Sequence, residues 1–156
     1  MPELPEVETI RQQLDEVLVG RKITKVEVLR EKSFGGDSGK MVGWQVESVR
    51  RKAKVIEIYF KKQKELVIIH LKMTGQLVYE ESATVTQQHG KRVVGGHPTA
   101  DWVKELPSKH TRVVVDFTDG SKLFFNDMRV FGWMRLVNKE EYEKKKGVTE
   151  LPVEPD

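Results

Sequence analysis

The sequence predicts a mainly β fold with α: an N-terminal helix packed on an antiparallel β-sandwich of about eight strands. Three observations lead there. Val7, Ile10, Leu14 and Val17 or Leu18 recur at helical spacing with charged residues between them, the mark of one amphipathic helix. After Gly20 the pattern changes to short β-rich runs with brief turns, which point to a sandwich or barrel. Thr118-Asp-Gly-Ser121 lies between two such runs and is a strong hairpin signal.

In chain order, the helix is expected over about residues 5–19, with Gly20 as the residue just past its end. Its apolar stripe must pack on something, so the chain start is held rigidly against the core. The sandwich is expected over about residues 22–137. Lys22–Leu29 alternates loosely, and Ser33–Lys40 is a glycine-rich turn region. Strands follow over Trp44–Arg51, Val55–Phe60, Leu66–His70, Gln76–Tyr79, Arg112–Phe117, Lys122–Asn126 and Gly132–Val137. Glu80–Lys109 breaks this rhythm with His89, His97, Gly95-Gly96 and two prolines. It reads as one long inserted loop without metal-ligand spacing, and no chemistry is assigned to it. A short, highly charged helix over about 139–146 reads as a solvated face. The last six residues, Leu151-Pro-Val-Glu-Pro-Asp156, read as the start of a linker.

Composition bounds the answer without deciding it. With 156 residues, one domain with a real core is expected. Hydrophobic residues make up 38% and charged residues 33%, the balance of a soluble globular chain rather than a disordered one. No apolar run approaches a membrane span, nothing at the start resembles a signal peptide, and no membrane partner is expected. Cysteine is absent, which excludes disulfides and a thiolate zinc site and fits a cytosolic setting. A net charge of +3 and a pI near 9.0 permit nucleic-acid binding without arguing for it.

The chemistry is concentrated at Met1-Pro-Glu-Leu-Pro-Glu-Val7. Removal of Met1 leaves Pro2 as a terminal secondary amine. An α-amine titrates at about 8, against about 10.4 for lysine, so roughly a tenth of it is neutral at pH 7. A neutral secondary amine can attack an aldehydic carbon and give an iminium, a permanent cation that acts as an electron sink. Glu3 lies beside it and could move protons, and Glu6 follows one turn later. The blander alternative is that Pro2 and Pro5 start the helix while Glu3 and Glu6 complement its dipole. The two readings are compatible.

Four further stretches bear on function. Arg50-Arg-Lys-Ala-Lys54 is a basic cluster entering a strand, either a solvated strand end or a phosphate contact. In His70-Leu-Lys-Met-Thr-Gly75 the histidine and methionine would ordinarily be structural, but Gly75 suggests a tight turn that exposes Met73 at a loop tip. His110-Thr-Arg112 is weak evidence by itself. In Asn126-Asp-Met-Arg-Val-Phe-Gly132 an extended backbone puts Arg129 and Phe131 on one side. A fork of donors beside a flat ring suits a disrupted base pair; a structural arginine and a core phenylalanine are the alternative.

PELPEVETIRQQL, followed in order by these four stretches, resembles the formamidopyrimidine-DNA glycosylase family, bacterial repair enzymes that excise oxidised purines. The sister branch resembling endonuclease VIII typically opens with glycine where this chain has Leu4. The resemblance implies Pro2 as nucleophile at the sugar C1′ and Glu3 as proton carrier at the ring oxygen. It implies Lys54, preceded by the small Ala53, on the phosphate beside the lesion; Lys52 is extra to the family's run. Glu6 would orient neighbours or accept a hydrogen bond from the base. Met73, in a His-Leu-x-Met-x-Gly motif with His70, would fill the gap left by the flipped nucleotide, where an unbranched apolar side chain replaces lost stacking, and His70 is counted with it among the DNA-binding residues. Arg129 and Phe131 would complete the gap-filling trio, and His110 would contact a phosphate.

The implied partner is double-stranded DNA containing oxidised purines (formamidopyrimidine, 8-oxoguanine) or abasic sites, bound by a monomer in the bacterial cytoplasm at the nucleoid. The implied reaction ends in β,δ-elimination and needs no cofactor. The family's zinc is structural and belongs to a second domain with a helix–two-turn–helix element, and neither feature stands in these 156 residues. The resemblance covers nearly all of this chain but only the N-terminal half of the family's protein, so weak DNA binding and poor turnover are expected of the chain alone. Two rivals remain: a non-catalytic DNA-binding or interaction module that keeps only the fold, and, more remotely, a tautomerase-like enzyme with a terminal proline base.

Overall fold

The computed structural model describes residues 3–81, 91–96 and 106–148, with side chains for 3–81 and 106–144. Helix α1 spans Leu4–Leu18, with Pro5 in its first turn and Glu3 as its N-cap. Gly20 follows at φ +89°, the left-handed conformation that ends helices and suits glycine. Ten strands come next: β1 (Ile23–Val28), β2 (Phe34–Gly35), β3 (Val46–Lys52), β4 (Val55–Phe60), β5 (Glu65–His70), β6 (Gly75–Glu80), β7 (Lys91–Gly96), β8 (Thr111–Phe117), β9 (Lys122–Asp127) and β10 (Trp133–Asn138). Helix α2 (Lys139–Val148) closes the described chain.

The strands form two five-stranded sheets, ordered β1-β8-β9-β6-β7 and β2-β10-β5-β4-β3. Every pairing is antiparallel except β2 with β10. The period-two alternation sends Val113, Val115 and Phe125 of one sheet and Ile56, Ile58 and Ile69 of the other into a shared core. Val7, Ile10, Leu14, Val17 and Leu18 of α1 enter the same core. The helix lies on β3 and β7, the last strand of each sheet, and so covers one open side of the sandwich. That placement holds α1 against the core; the first two residues lie outside the described ones.

Three expectations are corrected. Residues 80–109 are not one loop, because β7 pairs with β6 from Gln76↔Gly96 to Glu80↔Lys91. Its only β-branched residues are Val93-Val94 before Gly95-Gly96, too brief for alternation to show. The glycine-rich turn region contains β2, whose two residues pair with Met134 and Arg135. Helix α2 is not simply a solvated face. Tyr142 is buried with Tyr59, Leu66 and Trp133 on the outer face of the second sheet, and its hydroxyl donates to the buried Glu57 carboxylate. The Tyr59 hydroxyl donates to the same carboxylate over 3.3 Å. Burial, and then the nearby Glu57 charge, push both phenols above their ordinary pKa. A single tyrosine in a charged run leaves no helical period to read.

Candidate nucleic-acid interface

Strand register gathers the sequence motifs at one end of the sandwich. Lys52 pairs with Val55, so Ala53 and Lys54 form a two-residue turn there. Ile56 pairs with Ile69 and His70 with Trp133, which brings the loop after His70 beside the one before Trp133. Gly75 pairs with Asp127, and the Asp127 amide donates to the His110 carbonyl over 2.9 Å. The loops carrying Lys54, Met73, His110 and Arg129-Val-Phe131 are therefore neighbours although far apart in sequence.

Helix α1 points its N-terminus at this end. The Arg11 guanidinium donates to the Val49 carbonyl over 3.1 Å, and the Val49 amide donates to the Asp15 carboxylate over 2.9 Å. One turn further towards the start, Glu8 accepts from Arg11 at 2.8 Å and from Arg51 at 2.7 Å. Arg51 also donates to the Ala53 carbonyl over 3.2 Å. A chain of polar contacts thus runs from the helix start to the turn that carries Lys54. Hydrogen bonds from Arg11, Arg51 and Gln12 hold the Glu8 carboxyl down to about 2. Glu3 and Glu6 close a capping box, in which the Glu3 amide donates to the Glu6 carboxylate over 3.0 Å. That satisfies one of the amides a helix start leaves unpaired. Both carboxylates are exposed.

The Lys54 turn and the loops that carry Met73 and Phe131 are built on unusual backbone. Ala53, Lys72 and Val130 sit at φ +50°, +54° and +52°, a region uncommon for non-glycine residues and an outlier for a β-branched one. A Cβ on Gly75 would lie 2.6 Å from the Leu71 carbonyl oxygen, and one on Gly132 would lie 2.8 Å from that of His70. Glycine is therefore required at the close of both loops. Their common fastening is Asp127, whose side chain is wholly buried. One carboxylate oxygen accepts from the Thr74 hydroxyl and from the Arg129 amide at 3.1 Å, and the other accepts from the Gly132 amide at 2.6 Å.

With the backbone fixed in this way, Met73 is 56% and Phe131 51% exposed. For large apolar side chains, such exposure on adjacent loops marks a surface meant to be covered. The Arg129 guanidinium lies over the Phe131 ring, 5.1 Å from its centroid, so the two form one stacked pair, built on a bend at Val130 and not on the extended backbone that the motif spacing assumed. Met128, beside them, is also exposed. His110 is half-buried, and its amide donates to Ser108 Oγ over 3.1 Å. Lys54 is half-buried with no carboxylate partner among the described residues. His70 is only 2% exposed; its Nδ1 accepts from the Lys72 amide at 3.0 Å and its ring lies against Trp133. Pro2 lies outside the described residues. Sequence reading missed Glu8, and it missed the fastening role of Arg51, Thr74 and Asp127, which stand inside the stretches it singled out. Asp127 followed two residues later by a loop donor is the pattern of an Asx-turn and was the one signal available.

A family model described as the formamidopyrimidine-DNA glycosylase N-terminal domain matches residues 1–134. Formamidopyrimidine-DNA glycosylases from Pelotomaculum thermopropionicum and Ligilactobacillus salivarius are 36% and 33% identical to it; each match covers 99% of this chain and 50% of the relative. The chain thus spans about half the length of these relatives. Among solved structures, a complex between Lactococcus lactis Fpg and abasic-site-containing DNA superposes with a TM-score of 0.72 at 22% identity, covering 93% of this chain and 47% of the other. A Lactococcus lactis Fpg complex with DNA containing Fapy-dG gives the same TM-score at 22% identity, covering 92% of this chain and 47% of the other. At that identity the likeness speaks to the fold.

Proposed function

The chain belongs to the formamidopyrimidine-DNA glycosylase family, and we propose that it carries the catalytic half of a glycosylase and abasic-site lyase acting on oxidised purines in duplex DNA. The observation that carries this reading is the meeting, at one end of the sandwich, of the α1 N-terminus, the Lys54 turn and two exposed wedge loops. A reaction that removes one nucleotide from the stack needs a nucleophile and gap-filling side chains side by side.

In the proposed mechanism the Pro2 amine bonds to the sugar C1′ as the bond from C1′ to the base breaks, and the departing base takes up a proton. The ring oxygen gains a proton through Glu3, opening the sugar to an iminium. That cation draws electrons as a C2′ proton leaves and the 3′ C–O bond breaks; a second elimination breaks the 5′ C–O bond. Lys54 and His110 hold phosphates, and Glu6 orients the neighbouring groups. Arg129 faces the orphaned base while Met73 and Phe131 occupy the gap; His70 holds the Met73 loop from beneath. The Pro2 chemistry requires no cofactor from these residues. We propose that these 156 residues alone, as a monomer, bind DNA weakly and turn over slowly, since the relatives are about twice as long.

The test is borohydride trapping on a duplex carrying an abasic site, with the intact mass of the protein read alongside. The reading predicts a covalent adduct on protein lacking Met1, and none while Met1 blocks the amine. Salt-dependent binding without an adduct on the des-Met chain would instead support the non-catalytic module.

A further inference from the structure

We propose that Thr74 and Asp127 form a latch that makes the two wedge loops a single inserting unit, with Asp127 as the positioning residue. The observations are geometric. The two loops are far apart in sequence, one carrying Met73 and the other Arg129 and Phe131. A side-chain link between them is the Thr74 hydroxyl on the Asp127 carboxylate. That carboxylate also fixes its own loop at both ends, through the Arg129 and Gly132 amides. Through its backbone the same residue reaches the His110 carbonyl over 2.9 Å, and its carbonyl accepts from Arg112 at 2.8 Å. One buried residue therefore touches the loops of Met73 and of Arg129 and Phe131 and the backbone of His110.

The physical consequence follows from burial. A buried carboxylate without donors is strongly penalised, so this one keeps its donors and holds the positions of the loops that supply them. Both loops also contain a non-glycine residue in the left-handed region, Lys72 and Val130. Such conformations persist only where surrounding contacts over-determine them. Releasing the Thr74 contact frees the Met73 loop to relax, and the shared oxygen transmits the change to Arg129. Inserting Met73 and Phe131 into a duplex requires both side chains at set heights in the stack, so a loose pair would insert poorly even with every wedge residue present.

The test uses methionine methyl signals, because Met73 lies on one loop, Met128 on the other, and Met41 and Met134 in the core. In Thr74→Val, which keeps the shape and removes the hydroxyl, the latch predicts shifts or broadening at both Met73 and Met128 with Met41 and Met134 unchanged. Thr74→Ser restores the wild-type signals, and Asp127→Asn perturbs the same two methyls. A Thr74→Val change confined to Met73 would overturn the coupling, and a change at all four would show general loosening instead. A second arm rests on the proposed function. Borohydride trapping by Thr74→Val is expected to fall roughly tenfold on duplex DNA, the scale of one buried hydrogen bond. It should stay unchanged on a single-stranded abasic oligonucleotide, which has no gap to fill. Equal loss on both substrates would overturn the positioning role. Wild-type protein that traps on neither would sink the catalytic reading, and the methyl signals would then decide the latch alone.

Discussion

At the helix end of the face, Glu8 gathers Arg11, Gln12 and Arg51 around a half-exposed carboxylate; at the loop end, Asp127 gathers Thr74, Arg129 and Gly132 around a wholly buried one. Both carboxylates tie together segments far apart in sequence, and both stand beside residues assigned to chemistry or DNA. Their environments differ. Water and salt reach Glu8 and its partners, so that brace is screened and replaceable. Neither reaches Asp127, so its donors have no substitute. The comparison teaches that the position of the helix start rests mainly on the packing of α1, with ions as trim. The position of the wedge loops rests on one buried acceptor.

Replacing each acceptor tests the contrast most severely. Asp127→Ala leaves the Gly132 and Arg129 amides and the Thr74 hydroxyl without their acceptor, and is expected to lower unfolding stability by about 3 kcal/mol, read by urea denaturation. Glycine substitutions come next. Gly132→Ala and Gly75→Ala force a Cβ against carbonyl oxygens and should cost about 2 kcal/mol each. Gly20→Ala, at φ +89° with open space around it, should cost only about 1 kcal/mol. Similar losses at all three positions would mean that the loops can yield. In the opposite direction, Ala53→Gly relieves a left-handed residue and should raise stability by roughly 1 kcal/mol.

The smallest effect is expected at Glu8. Its carboxyl is held down to about 2 from an ordinary 4.5. A depressed carboxylate stabilises the fold fully above its unfolded value and loses that contribution as pH falls through the folded one. The gap in urea midpoint between wild type and Glu8→Gln should therefore be fullest at pH 6, narrower at pH 3 and reduced again in 1 M salt, which shortens the screening length to about 3 Å. A gap that ignores salt would place Glu8 in the same class as Asp127 and break the comparison.

Much of this was legible in the sequence, and the limits have physical causes. The stripe from Val7 to Leu18 located α1 to within a residue or so, because one buried face imposes one period. The Asp-Gly turn marked the β8–β9 hairpin, whose Gly120 takes φ +89°. The spacing of Arg129 and Phe131 put them on one side of an extended backbone, whereas they meet across a bend with Val130 at φ +52°, a geometry that two-residue spacing does not reveal. What escaped was whatever depends on a partner distant in sequence. β7 is a strand because β6 offers it an edge, and Tyr142 is buried because the outer face of β4 and β5 needs cover. Asp127 reads as one more turn aspartate until Thr74, some fifty residues earlier, is placed beside it. Among the residues proposed for chemistry, Lys54 was singled out by the resemblance, through its basic run and Ala53, while the brace through Glu8 and Arg51 could not be seen.

The most direct measurement of the central claim is the site of the covalent bond. The adduct formed by des-Met protein on an abasic duplex under borohydride would be digested and its cross-linked peptide sequenced by mass spectrometry. The account predicts the DNA remnant on the Pro2 nitrogen, in the peptide that opens PELPEVE, and its loss when Met1 is retained. A remnant on Lys54, or on any other lysine, would contradict the assignment of the nucleophile.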